Sequence, residues 1–184
     1  MSEKPFTIIV LVLLLIAVTF YLRSESGVQA LSSVPPGTSV DDFGPAPDIS
    51  MPIGLNGKRV DLSSLHGHVV MLDFWATWCG PCKMSIPELE HIYQKHKSEG
   101  LEVVGISVDD PANRREVDFT AKSLGITYPI AMVNEIPDVD SKYTFASIPL
   151  LLVIDKKGIV RARISGYDPN GNNEEVVAKL LKEK

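Results

Sequence analysis

Residues 69–82 read Val-Val-Met-Leu-Asp-Phe-Trp-Ala-Thr-Trp-Cys-Gly-Pro-Cys, and no other stretch limits the possible folds so tightly. The run Val69–Trp75 is rich in β-formers and predicts a buried strand. Beyond it, Lys83–Lys97 carries Met84, Ile86, Leu89, Ile92 and Tyr93 at helical spacing. Cys79 and Cys82 therefore stand where a strand hands over to a helix N-terminus. Unpaired backbone N–H groups and the helix dipole favour an anion at such a place, here a thiolate.

These are the only 2 cysteines in the chain. Four-cysteine zinc is therefore excluded. A site of two cysteines and two histidines would need His66, His68, His91 or His96, and His91 and His96 lie five apart on the predicted helix, off a common face. No metal and no cofactor is expected. A purely structural disulfide would close a very short loop and remove little chain entropy. A redox-active pair is the better reading, with Cys79 attacking from the helix start and Cys82, one turn deeper, resolving the mixed disulfide. Gly80-Pro81 lets the chain enter the helix tightly, since proline in the first turn costs no hydrogen bond.

Asp73-Phe-Trp-Ala-Thr-Trp-Cys-Gly-Pro-Cys-Lys83 resembles the active-site segment of thioredoxins. With an apolar N-terminal stretch before it and Val103-Val-Gly-Ile-Ser-Val-Asp109 after it, the chain is similar to the membrane-anchored, thioredoxin-like disulfide reductases of the TlpA/ResA type. The resemblance covers Ala46 to the C-terminus. It implies a thioredoxin fold and thiol–disulfide exchange, and its Gly80-Pro81 dipeptide is the one found in reducing members. Asp73 matches an acid thought to help deprotonate the resolving cysteine, and burial without a partner would raise its pKa toward neutrality. The alternative is a carboxylate that only satisfies backbone donors. Pro149, after Ile148, matches a cis proline that faces the dithiol, its preceding residue pairing with substrate backbone by strand addition; an ordinary strand-start proline is the rival. Trp78 is expected on the apolar rim of the site or in simple packing, and Trp75 in the core. Gly105 falls where thioredoxins hold a lysine near the buried acid, so Asp73 would lack that counter-charge.

The rest of the chain gives the setting. Met-Ser-Glu-Lys is followed by 18 uncharged residues, Pro5–Leu22, long enough to span a bilayer. Residues 1–23 are expected to be an anchor; a signal peptide cleaved near Ala30 is the alternative. Either places the domain outside the cytoplasm, on the periplasmic or extracellular face, where a lone dithiol needs a partner to set its redox state. The resemblance makes that partner an upstream membrane thiol–disulfide donor, and the clients disulfide-bearing proteins, with apocytochrome c among the candidates; a monomer is expected. Residues 24–45, rich in Ser, Gly, Pro and Asp, form a linker, and 46–184 the thioredoxin-like domain. A net charge of −5 with no basic stripe argues against nucleic acid.

Within the domain, Ile49–Ile53 and Lys58–Val60 flank Asn56-Gly57, a hairpin-turn signal. Asp61–Leu65 reads as a helical turn, and Leu101–Val108 as a second apolar strand that makes a βαβ unit with the first. Pro87 should kink the active-site helix. Pro111–Leu124 is a helix ending at Gly125, with Val117, Phe119 and Leu124 toward the core. Tyr128–Val133 is a short strand and Asp138–Phe145 a helix. Leu150–Ile154 and Ile159–Ile164 form a hairpin, and Asn172–Lys184 is the closing helix. The fold class is α/β: a thioredoxin fold with a mixed sheet flanked by helices, an N-terminal β-hairpin extension and a membrane segment. The four histidines read as surface or turn residues.

Two other functions remain open. One is a disulfide oxidase or isomerase of the same fold; the other is a copper-binding module using both thiolates. A thiol peroxidase is disfavoured, because Leu72 and Ala76 occupy the Pro and Thr places of its Pro-x-x-x-Thr-x-x-Cys motif.

Overall fold

The structure, a computed structural model, describes residues 43–53, 57–144 and 146–183. The segment expected in the membrane and the linker as far as Asp42 lie outside these residues. Among the described residues no helix is long and apolar enough to cross a membrane. In chain order the elements are β1 (Ser50–Met51), β2 (Val60–Asp61), β3 (Val69–Trp75), α1 (Gly80–His96), β4 (Leu101–Ser107), α2 (Arg114–Ser123), β5 (Ile130–Met132), α3 (Val139–Lys142), β6 (Leu150–Ile154), β7 (Val160–Ser165) and α4 (Asn173–Lys182).

Every residue of β3 is buried, so the strand has to be covered on both faces, and it takes the centre of the main sheet. The strand order is β5-β4-β3-β6-β7. β3 pairs in parallel with β4, as the βαβ reading requires, and antiparallel with β6. Alternation along β3 divides its side chains between two cores. Val70, Leu72 and Phe74 join one with the N-terminal hairpin and Tyr143. Val69 and Met71 face the other, against Leu89 and Ile92 of α1 and Val176, Val177 and Leu180 of α4. This mixed sheet with helices on it is the thioredoxin-like arrangement that the resemblance implied.

Several expectations need correcting. The hairpin forms, with Ser50 paired to Asp61 and Met51 to Val60. Pro52 has no N–H for the ladder, and Ile53 N–H folds back onto Met51 O at 2.9 Å. Asn56 lies outside the described residues. α1 starts at Gly80, directly after Cys79, and continues past the exposed Pro87 to His96. Its buried stripe is Cys82, Ile86, Leu89, Ile92 and His96, which leaves Met84 on the far side and 55% exposed. Phe119 is likewise 74% exposed, because Val117 and Ala121 form the buried line of α2. His96 is no surface histidine: it is buried, with Nδ1 at 3.0 Å from Glu99 Oε2 and Nε2 at 3.5 Å from Glu174 Oε1. α3 stops at Lys142, short of the expected helix to Phe145, and Phe145 lies outside the described residues.

The chain is already paired before Ala46. Phe43 N–H donates to Val160 O at 3.0 Å, Ala46 N–H donates to Gly158 O at 2.8 Å, and Pro45 bridges Ile159 in antiparallel sense.

Candidate active site

Cys79 is the N-cap of α1, with extended backbone (φ −84°, ψ 103°), and its N–H donates to Ala76 O at 3.1 Å. Its Sγ accepts the Cys82 N–H at 3.1 Å, the place a capping side-chain oxygen usually fills. A sulfur held there meets one of the helix's unpaired donors and the positive end of its dipole, which favours a thiolate. The two sulfurs are joined in a disulfide, 2.02 Å apart. Cys79 is 5% exposed and Cys82 0%, so Cys79 is the more accessible of the two sulfurs. Gly80 and Pro81 are exposed in the first turn, where proline is tolerated. Trp78 is 68% exposed beside Cys79, while Trp75 is fully buried.

Asp73 lies two residues before Trp75, on the same face of β3. It is 1% exposed, and its Oδ2 has no hydrogen-bond partner. Burial raises its carboxyl from the ordinary 3.8 to about 7. The strand register sets it opposite Gly105, as the sequence comparison with thioredoxins suggested. The structure also explains why no lysine stands there. A Cβ on Gly105 would come within 3.2 Å of Trp75 Nε1 and 3.3 Å of Tyr128 Cε2 and Ile130 Cγ1. Aromatic rings fill the space that a long basic side chain would need. Trp75 Nε1 and Tyr128 Oη are themselves buried without hydrogen-bond partners. Burial, followed by the negative charges of Asp73 and Glu90, pushes the Tyr128 phenol well above its usual range.

The Ile148–Pro149 peptide bond is cis. Pro149 is buried directly before β6, and Ile148 packs on the cluster that contains Cys79, Cys82, Trp75 and Ile86. The structure thus gathers Cys79, Cys82, Gly80, Pro81, Trp78, Ile148 and Pro149 at one end of the sheet, and Asp73 lies buried on β3 two residues before Trp75. Among the described residues no group of three or more His, Cys, Asp or Glu could hold a metal ion.

Sequence reasoning missed Tyr128 and Asp109. Asp109 is 2% exposed and takes hydrogen bonds from Thr77 and Ser107. It ends the quoted Val103–Asp109 segment, but nothing in its spacing from Thr77 marks them as neighbours. Tyr128 is brought over Gly105 only by the pairing of β5 with β4.

Residues 44–163 match the AhpC/TSA family. The chain is 34% identical over 111 residues to the thiol-disulfide oxidoreductase ResA of Bacillus subtilis, a match covering 60% of each protein. It is 33% identical to the protein of the same name from Geobacillus kaustophilus, covering 66% of this chain and 67% of that one. Among solved structures, a thiol:disulfide interchange protein of the thioredoxin family from Chlorobium tepidum superposes with a TM-score of 0.64 at 28% identity, covering 82% of this chain and 99% of that one.

Proposed function

The chain belongs to the AhpC/TSA family of thioredoxin-like proteins, and from that premise we propose that it is a thiol–disulfide oxidoreductase working as a reductant of disulfide-bearing proteins outside the cytoplasm. The observation that carries this is the Cys79 sulfur in the capping position of α1, bonded to Cys82 Sγ and accepting the Cys82 N–H. In the reduced protein the Cys79 thiolate attacks one sulfur of a client disulfide. The client S–S bond breaks, one client thiolate leaves, and a mixed disulfide forms at Cys79. Cys82 then gives its proton to the Asp73 carboxylate and attacks Cys79 Sγ. The second client thiolate leaves, and the Cys79–Cys82 disulfide closes. Two electrons pass to the client, and an upstream membrane thiol donor returns them to the pair.

Asp73 suits its part because a carboxyl raised to about 7 can accept and release a proton near neutrality. Ile148 and Pro149 offer the extended client segment a backbone edge, and Trp78 offers it an exposed apolar surface. The N-terminal stretch supports a membrane-held protein, and cytochrome c precursors are one class of client consistent with the family resemblance. The buried Ala76 offers no hydroxyl for peroxide chemistry.

The test is the reduction potential of the Cys79–Cys82 pair in the full chain, equilibrated with glutathione or dithiothreitol and trapped. A value at or below roughly −230 mV is expected. One above roughly −180 mV would make the protein an oxidant or isomerase.

A further inference from the structure

The loop Ala76-Thr77-Trp78 joins β3 to the reactive cysteine, and its hold comes from the neighbouring strand. Thr77 N–H donates to Asp109 Oδ2 at 2.9 Å, and the Thr77 hydroxyl donates to Asp109 Oδ1 at 2.6 Å. Asp109 Oδ2 also accepts the Ser107 hydroxyl at 2.8 Å, while Asp109 N–H donates to Ser107 Oγ at 3.2 Å. Val108 N–H adds a backbone bond to Trp75 O at 2.9 Å. Thr77, Ser107 and Asp109 are 5%, 0% and 2% exposed. A carboxylate so removed from water needs partners, and it finds them in these neutral donors instead of in a cation. Two of them come from Thr77, two residues before Cys79.

We propose that Asp109 is a positioning residue for the chemistry of Cys79. By clamping Thr77 to the end of β4, it fixes the Ala76–Cys79 turn and keeps the Cys79 sulfur over the Cys82 N–H. Without the clamp, the Val108 N–H bond to Trp75 O still ties the end of β3 to β4, but Thr77 loses its carboxylate partner. The sulfur can then swing off the capping position, and the thiolate loses both its N–H donor and its alignment with the helix. The proposal rests on Cys79 being the attacking thiol.

The experiment is the pH dependence of iodoacetamide alkylation of the reduced full-length protein, read as the midpoint for Cys79. In the parent protein the midpoint should lie below the ordinary cysteine value of about 8.5; a midpoint at or above that value would defeat the attacking-thiol reading itself. Thr77→Val keeps the shape and the N–H bond but removes the 2.6 Å hydroxyl contact. It should raise the midpoint by about half to one unit, a three- to tenfold loss of thiolate at lower pH. Thr77→Ser, which keeps the hydroxyl, should restore the parent midpoint. Should Thr77→Val not fold, Ser107→Ala removes a donor to the same carboxylate and should give a smaller rise. Asp109→Asn separates charge from geometry. A lowered midpoint there, with an unmoved one in Thr77→Val, would show Asp109 acting through charge alone and overturn the proposal. So would a Thr77→Val protein that melts earlier with its midpoint unchanged.

Discussion

Replacing Asp73 by asparagine tests the buried carboxyl most directly, because its signature is a pH slope as well as a rate. The folded protein holds this group at about 7, against 3.8 for an ordinary aspartate, and burial is the cause. Below pH ~4 folded and unfolded chains both bind the proton, and Asp73 adds no pH dependence. Between pH ~4 and ~7 the unfolded chain releases it while the folded one keeps it, so stability falls as pH rises. Above pH ~7 both are ionised and the loss is complete. The full interval corresponds to about 4 kcal/mol, and relaxation around the ionised group brings the expected loss to about 2–4 kcal/mol. The asparagine variant has no such term, only a constant offset from its buried amide. Urea unfolding of the oxidised protein, followed by tryptophan fluorescence at several pH values from 4.5 to 8.5, should show the variant gaining on the parent across that interval and then running level. A difference that stays flat with pH would refute a desolvated, near-neutral Asp73. The variant should also resolve mixed disulfides more slowly.

Three further outcomes follow from the same geometry. Cys82→Ser should accumulate a one-to-one mixed disulfide with an oxidised client protein, visible by intact mass, because Cys79 attacks but nothing resolves. Gly105→Ala should destabilise the fold by about 1–3 kcal/mol in chemical denaturation, since its Cβ would press on Trp75, Ile130 and Tyr128 at 3.2–3.3 Å. Tyr128→Phe removes a buried hydroxyl that has no partner and should stabilise the protein by about 1 kcal/mol in the same assay; a loss of that size would reveal a partner.

Local pattern was legible where one physical requirement dominated. Val69–Trp75 reads as a strand with the same bounds that the structure shows, because a run of β-formers buried on both faces has few other solutions. The cysteines at the strand–helix junction, the parallel β4 and the β6–β7 hairpin followed from similar local signals. Gly80-Pro81 reads as a tight entry into the helix, and Pro81 does sit in its first turn, with Cys79 as the cap. Phe119 and Met84 were placed inward on hydrophobicity alone, although each sits two positions from the buried line of its helix. What stayed hidden was non-local. Asp109 meets Thr77 across 32 residues, and Tyr128 reaches Gly105 across a strand pairing. The cis bond before Pro149 came from family likeness, since the residues themselves carry no sign of it.

The pairing of Phe43–Ala46 with Gly158–Val160 gives the domain a direction. Phe74 pairs with Leu150 and Leu150 with Ser165, so these residues mark the pole that carries the dithiol. Val70 pairs with Ile154 and Ile154 with Val160, which mark the opposite pole. The N-terminal chain docks beside Ile159, at that opposite pole, about 17 Å of strand away from the cysteines. The seam acts as a socket: it takes up the backbone beside Ile159 and Val160 and turns the incoming chain into a short handle on the sheet. A load applied to the chain at Phe43 would therefore be borne by β7 at its far end, at the pole opposite the dithiol.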